Sequence, residues 1–242
     1  MSTPSTTDLM HAWEYGAGKP AAARALLLMK AVSSENDIRE LAQWNVGQRD
    51  RLLLNLRDTL FGPEIHCLTN CARCGEPIEL DFSIDDIRVP HGEAGRSYHA
   101  AADGYEVQFR LPDSTDLLAL KDELPAQAER QLLARCVLDA RAEEGEVMAT
   151  ELPEPVFSAV SQRMSEADPQ AEILLEVSCP ACSCVSPALF DIVSHLWAEL
   201  DAWARRMLRE VHALAVAYGW SETEILHMSA ARRRAYLDLI GY

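Results

Sequence analysis

The sequence is short of positive charge, with 22 Lys and Arg against 38 Asp and Glu, a net of −16. A general nucleic-acid binder needs the opposite balance, because phosphate contact works by Lys and Arg displacing counterions. Docking on an anionic membrane is disfavoured for the same reason. No apolar run approaches the roughly eighteen residues of a membrane span. The first residues, MSTPSTTDLMHAWEYG, lack a basic stretch followed by an apolar one, so no standard secretion signal is read there. No nucleophile, Gly-rich phosphate loop or HExxH-type motif accompanies the carboxylates of residues 143–176. A non-enzymatic cytoplasmic protein is the expectation.

The 242 residues are 48% apolar, ordinary globular composition and ample for a core without disulfides. Seven cysteines, an odd count with no secretion signal, argue against a disulfide framework. Cys67, Cys71 and Cys74 form one cluster; Cys179, Cys182 and Cys184 form a second. Each contains C-x-x-C, a spacing that aims two thiolates on one tight turn at a single ion. Gly75 and Ser183 follow the second cysteine of each turn, where a small residue frees backbone N–H groups for the sulfurs. Two such turns supply the tetrahedral four-sulfur set that zinc prefers, giving Cys71, Cys74, Cys179 and Cys182 as ligands of a structural Zn2+. Four thiolates leave no open position for water, so such a site holds structure.

The two turns are separated by 104 residues, whereas a compact zinc ribbon has about 15–20, so a long insertion must return the chain to its start. Other readings compete. Cys67, Cys71 and Cys74 carry the spacing of a radical S-adenosylmethionine iron–sulfur site, but Arg73 stands where those motifs have an aromatic, and repeated strand–helix units are missing. A thioredoxin-like pair would open a helix, whereas CARCGEPIELDF runs into an alternating strand. Free buried thiols remain a third reading. Cys136 reads as a small core residue, and Cys67 and Cys184 as spare thiols or alternative ligands.

Helix is predicted after Pro20 and from Asn36 to Leu60, ending at Gly62-Pro63. PIELDFSI and YEVQFRLP alternate as strands. Residues 88–104, with His91 and His99, read as a solvated loop. Helices are expected at 114–121, 126–141 and 154–166, and EILLEVSCPAC as a strand entering the second turn. The acidic stretch 143–176 holds nine carboxylates and one Arg, best read as a solvated face.

From Pro187 the chain is expected to be wholly helical. Leu189, Val193, Leu196, Leu200, Trp203, Met207, Val211, Leu214 and Tyr218 recur at three- and four-residue spacing. Such a stripe packs on the protein's own helices or docks a partner helix. Leu196, Trp197, Leu200, Trp203, Met207 and Val211 are the candidates for the second role. The last two helices superficially suggest a helix-turn-helix, but seven acids against six Arg from residue 189 onward supply no basic face.

QRDRLLLNLRDTLFG, CARCGEPIELDF, ADPQAEILLEVSCPAC and the stretch from FDIVSHLW to RRRAYLDLI together form a specific pattern. Over residues 45–84 and 168–240 the chain resembles the baseplate hub assembly family of T-even-type contractile-tail phages, as found in bacterial contractile injection systems. The resemblance implies an assembly chaperone that holds a hub or spike protein, with a structural baseplate subunit or a zinc-ribbon regulator as alternatives. It carries over Cys71, Cys74, Cys179 and Cys182 as ligands, and departs from the family pattern at Ser183-Cys184. Neither a membrane nor a nucleic-acid partner is expected. The expected fold is α+β: an N-terminal helical segment (1–62), a small zinc-ribbon-like β centre with a helical insertion (63–188), and long C-terminal helices (189–242).

Overall fold

The computed structural model describes residues 3–33, 37–89, 95–120, 125–143 and 145–242. The fold is α+β, with small antiparallel sheets, an inserted unit between two hairpins, and long C-terminal helices. Four helices come first: α1 (Thr6–Gly16), α2 (Ala21–Val32), α3 (Ile38–Ala42) and α4 (Val46–Phe61). The single helix expected over 36–60 is in fact two. Asn45 accepts from the Gln48 N–H while Gln48 answers to the Asn45 N–H, a reciprocal cap that starts α4 afresh. The same device, Ser5 with Asp8, starts α1, which went unpredicted. Asn36 lies outside the described residues.

The first hairpin is β1 (Glu64–Asn70) and β2 (Pro77–Ser83), followed by one turn of helix, α5 (Ile84–Ile87). The second is β7 (Ile173–Ser178) and β8 (Val185–Phe190), feeding straight into α9 (Ile192–Tyr218). The inner faces of the two hairpins meet, with Phe82 and Phe190 edge to face at 5.3 Å between centroids, a pair worth about 1 kcal/mol beyond area burial. Ile65, Ile84, Phe190, Ile192 and Leu196 join Leu53, Leu54 and Leu56 of α4 and Leu28 and Met29 of α2 in the main core.

The insertion is helical, with α6 (Ser114–Ala119), α7 (Pro125–Cys136) and α8 (Glu154–Ala167), and it also builds a four-stranded antiparallel sheet. That sheet is β3 (Tyr98–Ala102), β4 (Tyr105–Phe109), β5 (Val137–Ala142) and β6 (Gly145–Glu146), in sequence order. Two expectations are corrected here. The 88–104 segment is not all loop, since His99 lies in β3; His91 lies outside the described residues. The helix expected over 126–141 stops at Cys136, and β5 follows because Ala140 pairs with Val107 on the central strand. Phe109, Val160 and Leu133 give the insertion its own core.

The C-terminal stripe also needs correction. Leu189 belongs to β8 and faces outward, because Leu174 opposite it also points away from the core. The six candidates for partner docking pack within the molecule. Leu196, Trp197 and Leu200 are buried in the main core, Met207 against Met10 of α1, and Trp203 between these groups. Val211 packs against the small cluster of Leu214, Ile225 and Leu237. Trp197 seats its ring on Gly16, where any Cβ would overlap it, and Arg24 covers it at 4.6 Å. Helices α10 (Glu222–Leu226) and α11 (Ala230–Leu239) fold back on the end of α9, where Arg233 pairs with Glu210 at 3.0 Å. Among the described residues, no helix is long and apolar enough to cross a membrane.

Candidate metal centre

Each hairpin turns at its C-x-x-C, and both turns are built alike. The Cys71 N–H donates to the Glu76 carbonyl (2.8 Å) and the Gly75 N–H to the Cys71 carbonyl (2.9 Å). In the second turn the Cys179 N–H donates to the Cys184 carbonyl (2.9 Å) and the Ser183 N–H to the Cys179 carbonyl (2.9 Å). Gly75 and Ser183 both adopt left-handed backbone, with φ of 77° and 56°. Ser183 therefore adopts the same turn geometry as Gly75, and bears the strain of a side chain there.

The turns face each other. The sulfurs of Cys71, Cys74, Cys179 and Cys182 lie within 4.8 Å of one another. Cys71 Sγ is 3.6 Å from Cys182 Sγ, and Cys74 Sγ is 3.6 Å from Cys179 Sγ. Those spacings fit four thiolates around one ion at about 2.3 Å each. Cys71 and Cys179 are buried, Cys182 is half-buried and Cys74 is exposed at the rim. Ile78 and Val177 close the inner side.

The electrostatics are compatible with a bound cation. Backbone N–H groups of Cys74 and Arg73 pull the Cys71 thiol down to about 6. At Cys182 the Cys184 N–H acts in the same sense, but burial and the facing thiols outweigh it and push the group up to about 12. Four thiols this close cannot all ionise against one another's charge. A dication bound by all four removes that repulsion and displaces their protons.

The other cysteines stand apart from this set. Cys67 is on β1, its thiol pushed up by burial and then by Asp81. Cys184 contributes its carbonyl to the second turn. Cys136 is fully buried at the end of α7, 3.9 Å from Asp116, as a core residue.

One regularity of the site went unread in the sequence. The two hairpins repeat each other 108 residues apart, in Ile65 and Ile173, Cys71 and Cys179, Cys74 and Cys182, Phe82 and Phe190, Ile84 and Ile192. Registers agree, Ile65 pairing with Phe82 as Ile173 pairs with Phe190. Even the exits match: Ser83 caps α5 through the Asp85 N–H, and Asp191 caps α9 through the Val193 N–H. The two equal sulfur pairs are related by this approximate two-fold, and the ion would sit on it. Comparing the sequence with itself at that offset would have found it.

Two hairpins with facing C-x-x-C turns, set among helices, define a zinc-ribbon-like protein of mixed α+β fold. Residues 25–197 match the family of T4 bacteriophage base plate proteins, and the chain belongs to that family. The matched span takes in both turns and ends six residues into α9, leaving α10, α11 and most of α9 outside it. No curated protein and no solved structure gives a match.

Proposed function

We propose that this chain is a non-enzymatic assembly chaperone or adaptor for the hub or spike of a phage-like contractile injection system, working in the cytoplasm. Its ribbon is held by one structural zinc on Cys71, Cys74, Cys179 and Cys182. The observation that carries the reading is a closed four-thiol centre inside a base plate family span. A centre with no free coordination position suits a scaffold, and family membership supplies the assembly it serves. The net charge of −16 keeps such a factor soluble. A second reading, a structural subunit retained in the particle, draws on the family's own description as base plate proteins.

Quantitative mass spectrometry on purified sheathed particles and on the soluble pool of the producing cell separates these. Absence from particles, with association to a hub or spike protein in the soluble pool, is the expected result. A fixed ratio to hub proteins inside particles would establish the structural subunit instead. Absence of any association in both fractions would remove the baseplate reading.

A further inference from the structure

Beyond the family-matched span, α9 continues as a helix with one face taken and one face open. Met207 and Leu214 are buried on the taken side. The opposite side, reading along the helix, presents Arg205, Arg206, Arg209, His212 and Val216, all exposed. At 100° per residue these five fall within roughly 120° of arc. Arg205 is held by Asp201 at 2.8 Å. Arg206 and Arg209 have no ion-pair partner among the described residues, and no carboxylate stands between Arg205 and Val216 on this face. The nearest acid on the helix, Glu210, is turned away to Arg233. Val216 is 73% exposed and Leu208 at the margin 38%, so the strip is apolar as well as basic.

The geometry points to this face of α9 as the docking surface for an acidic amphipathic segment of a partner protein. Charge complementarity selects the occupant: two free guanidiniums fork onto carboxylates, while Val216 and Leu208 require apolar side chains beside them. DNA is disfavoured because two guanidiniums neutralise few phosphates and neither apolar residue helps it bind phosphate. A second copy set face to face would bring Arg206 and Arg209 against their own counterparts and is disfavoured on that ground. The inference rests on the baseplate reading for where the partner comes from; the surface chemistry stands without it.

The test titrates the full chain with a fluorescent helical peptide of about twenty residues bearing Glu and Leu on one face. The same peptide with Lys in place of Glu, a DNA duplex and anionic phospholipid vesicles are run in parallel, and sedimentation reports self-association. The Glu/Leu peptide should bind, more weakly as salt rises, and the other probes should not. The double variant Arg206→Glu/Arg209→Glu and the single variant Val216→Asp should each lose at least about tenfold in affinity. Their melting temperatures should stay at the wild-type value, because the altered side chains are exposed. Equal binding by the variants, no binding of the Glu/Leu peptide, tighter binding of DNA or vesicles, or self-association through this face would each overturn the inference. Hub association is then compared between wild type and the double variant in cells. If both associate equally, the α9 face is not the contact and the baseplate reading survives. If wild type associates with no baseplate component, that reading falls, whatever the peptide shows.

Discussion

Asp168, at the end of α8, accepts a 2.8 Å hydrogen bond from the Gly47 N–H in the first turn of α4, and a Cβ at Gly47 would overlap that carboxylate. This contact joins the insertion to the N-terminal helices, since the carboxylate meets the positive end of α4 and one of its unpaired donors. Gly47→Ala must push α8 away or break the bond, and should cost about 2–3 kcal/mol in urea unfolding. Stability within about 0.5 kcal/mol of wild type would show that the two units are not fastened here.

Metal content is the direct check on the ribbon. Purified under non-chelating conditions, the chain should carry one zinc, and serine at Cys71, Cys74, Cys179 or Cys182 should abolish tight binding. Serine at Cys67, Cys136 or Cys184 should leave the ratio at one. Chelation should loosen the hairpins while the insertion, with its own core around Phe109 and Val160, keeps its amide protection longest. Retention of zinc by all four variants would reassign the ligands.

The two turns respond oppositely to a change at the residue after the second cysteine. Ser183→Gly relieves a left-handed side chain and should raise stability by about 1 kcal/mol. Gly75→Ala introduces the same strain into open space and should cost about 1–2 kcal/mol, with zinc affinity falling in step. Shifts in melting temperature of opposite sign are the signature to measure. Two shifts of the same sign would mean that backbone strain is not what distinguishes them.

Asp50 supplies a pH dependence with a definite sign. Burial, outweighing the attraction of Arg49 at 2.7 Å, raises its carboxyl from 3.8 to about 6, and Asp191 and Asp168 add to the rise. A raised folded value means this contribution is whole below about pH 4 and lost as pH climbs through about 6, on the order of 3 kcal/mol. Asp50→Asn strips Arg49 of its buried partner and lowers stability throughout. Even so, the decline between about pH 4 and 7 should be shallower than in wild type by roughly that amount. Identical slopes would assign the decline to general charge repulsion.

Much of this arrangement could be read from the residues because local chemistry dictated it. The C-x-x-C turns, the alternation of PIELDFSI and the Asp168-Pro169 break after α8 are short-range signals, and the structure keeps each of them. The misses were decided at a distance. Val137–Ala142 became a strand because β4 lay ready to pair with it, which no window of helical spacing reports. The spacing of Leu196 and Trp203 left own-helix packing and partner docking both open, and only the tertiary fold, with α1, α2 and α4 on that stripe, shows the first; Leu196→Asp should therefore unfold the protein before it affects any complex. The hairpin repeat was visible all along, hidden only by the length of what lies between its copies.

That length sets the order of events during synthesis. Cys71 and Cys74 leave the ribosome 108 residues ahead of Cys179 and Cys182, a lag of about 5–20 s at ordinary elongation rates. Through that interval two thiols hold half of a coordination sphere, and the insertion, whose core is its own, has time to take shape. On the zinc reading, all four thiols are on hand only when the last cysteine arrives, and the metal then draws together hairpins 108 residues apart in the chain. A chain that stops before residue 182 lacks at least one of the four thiols and keeps the Cys71–Cys74 pair without its full partner turn.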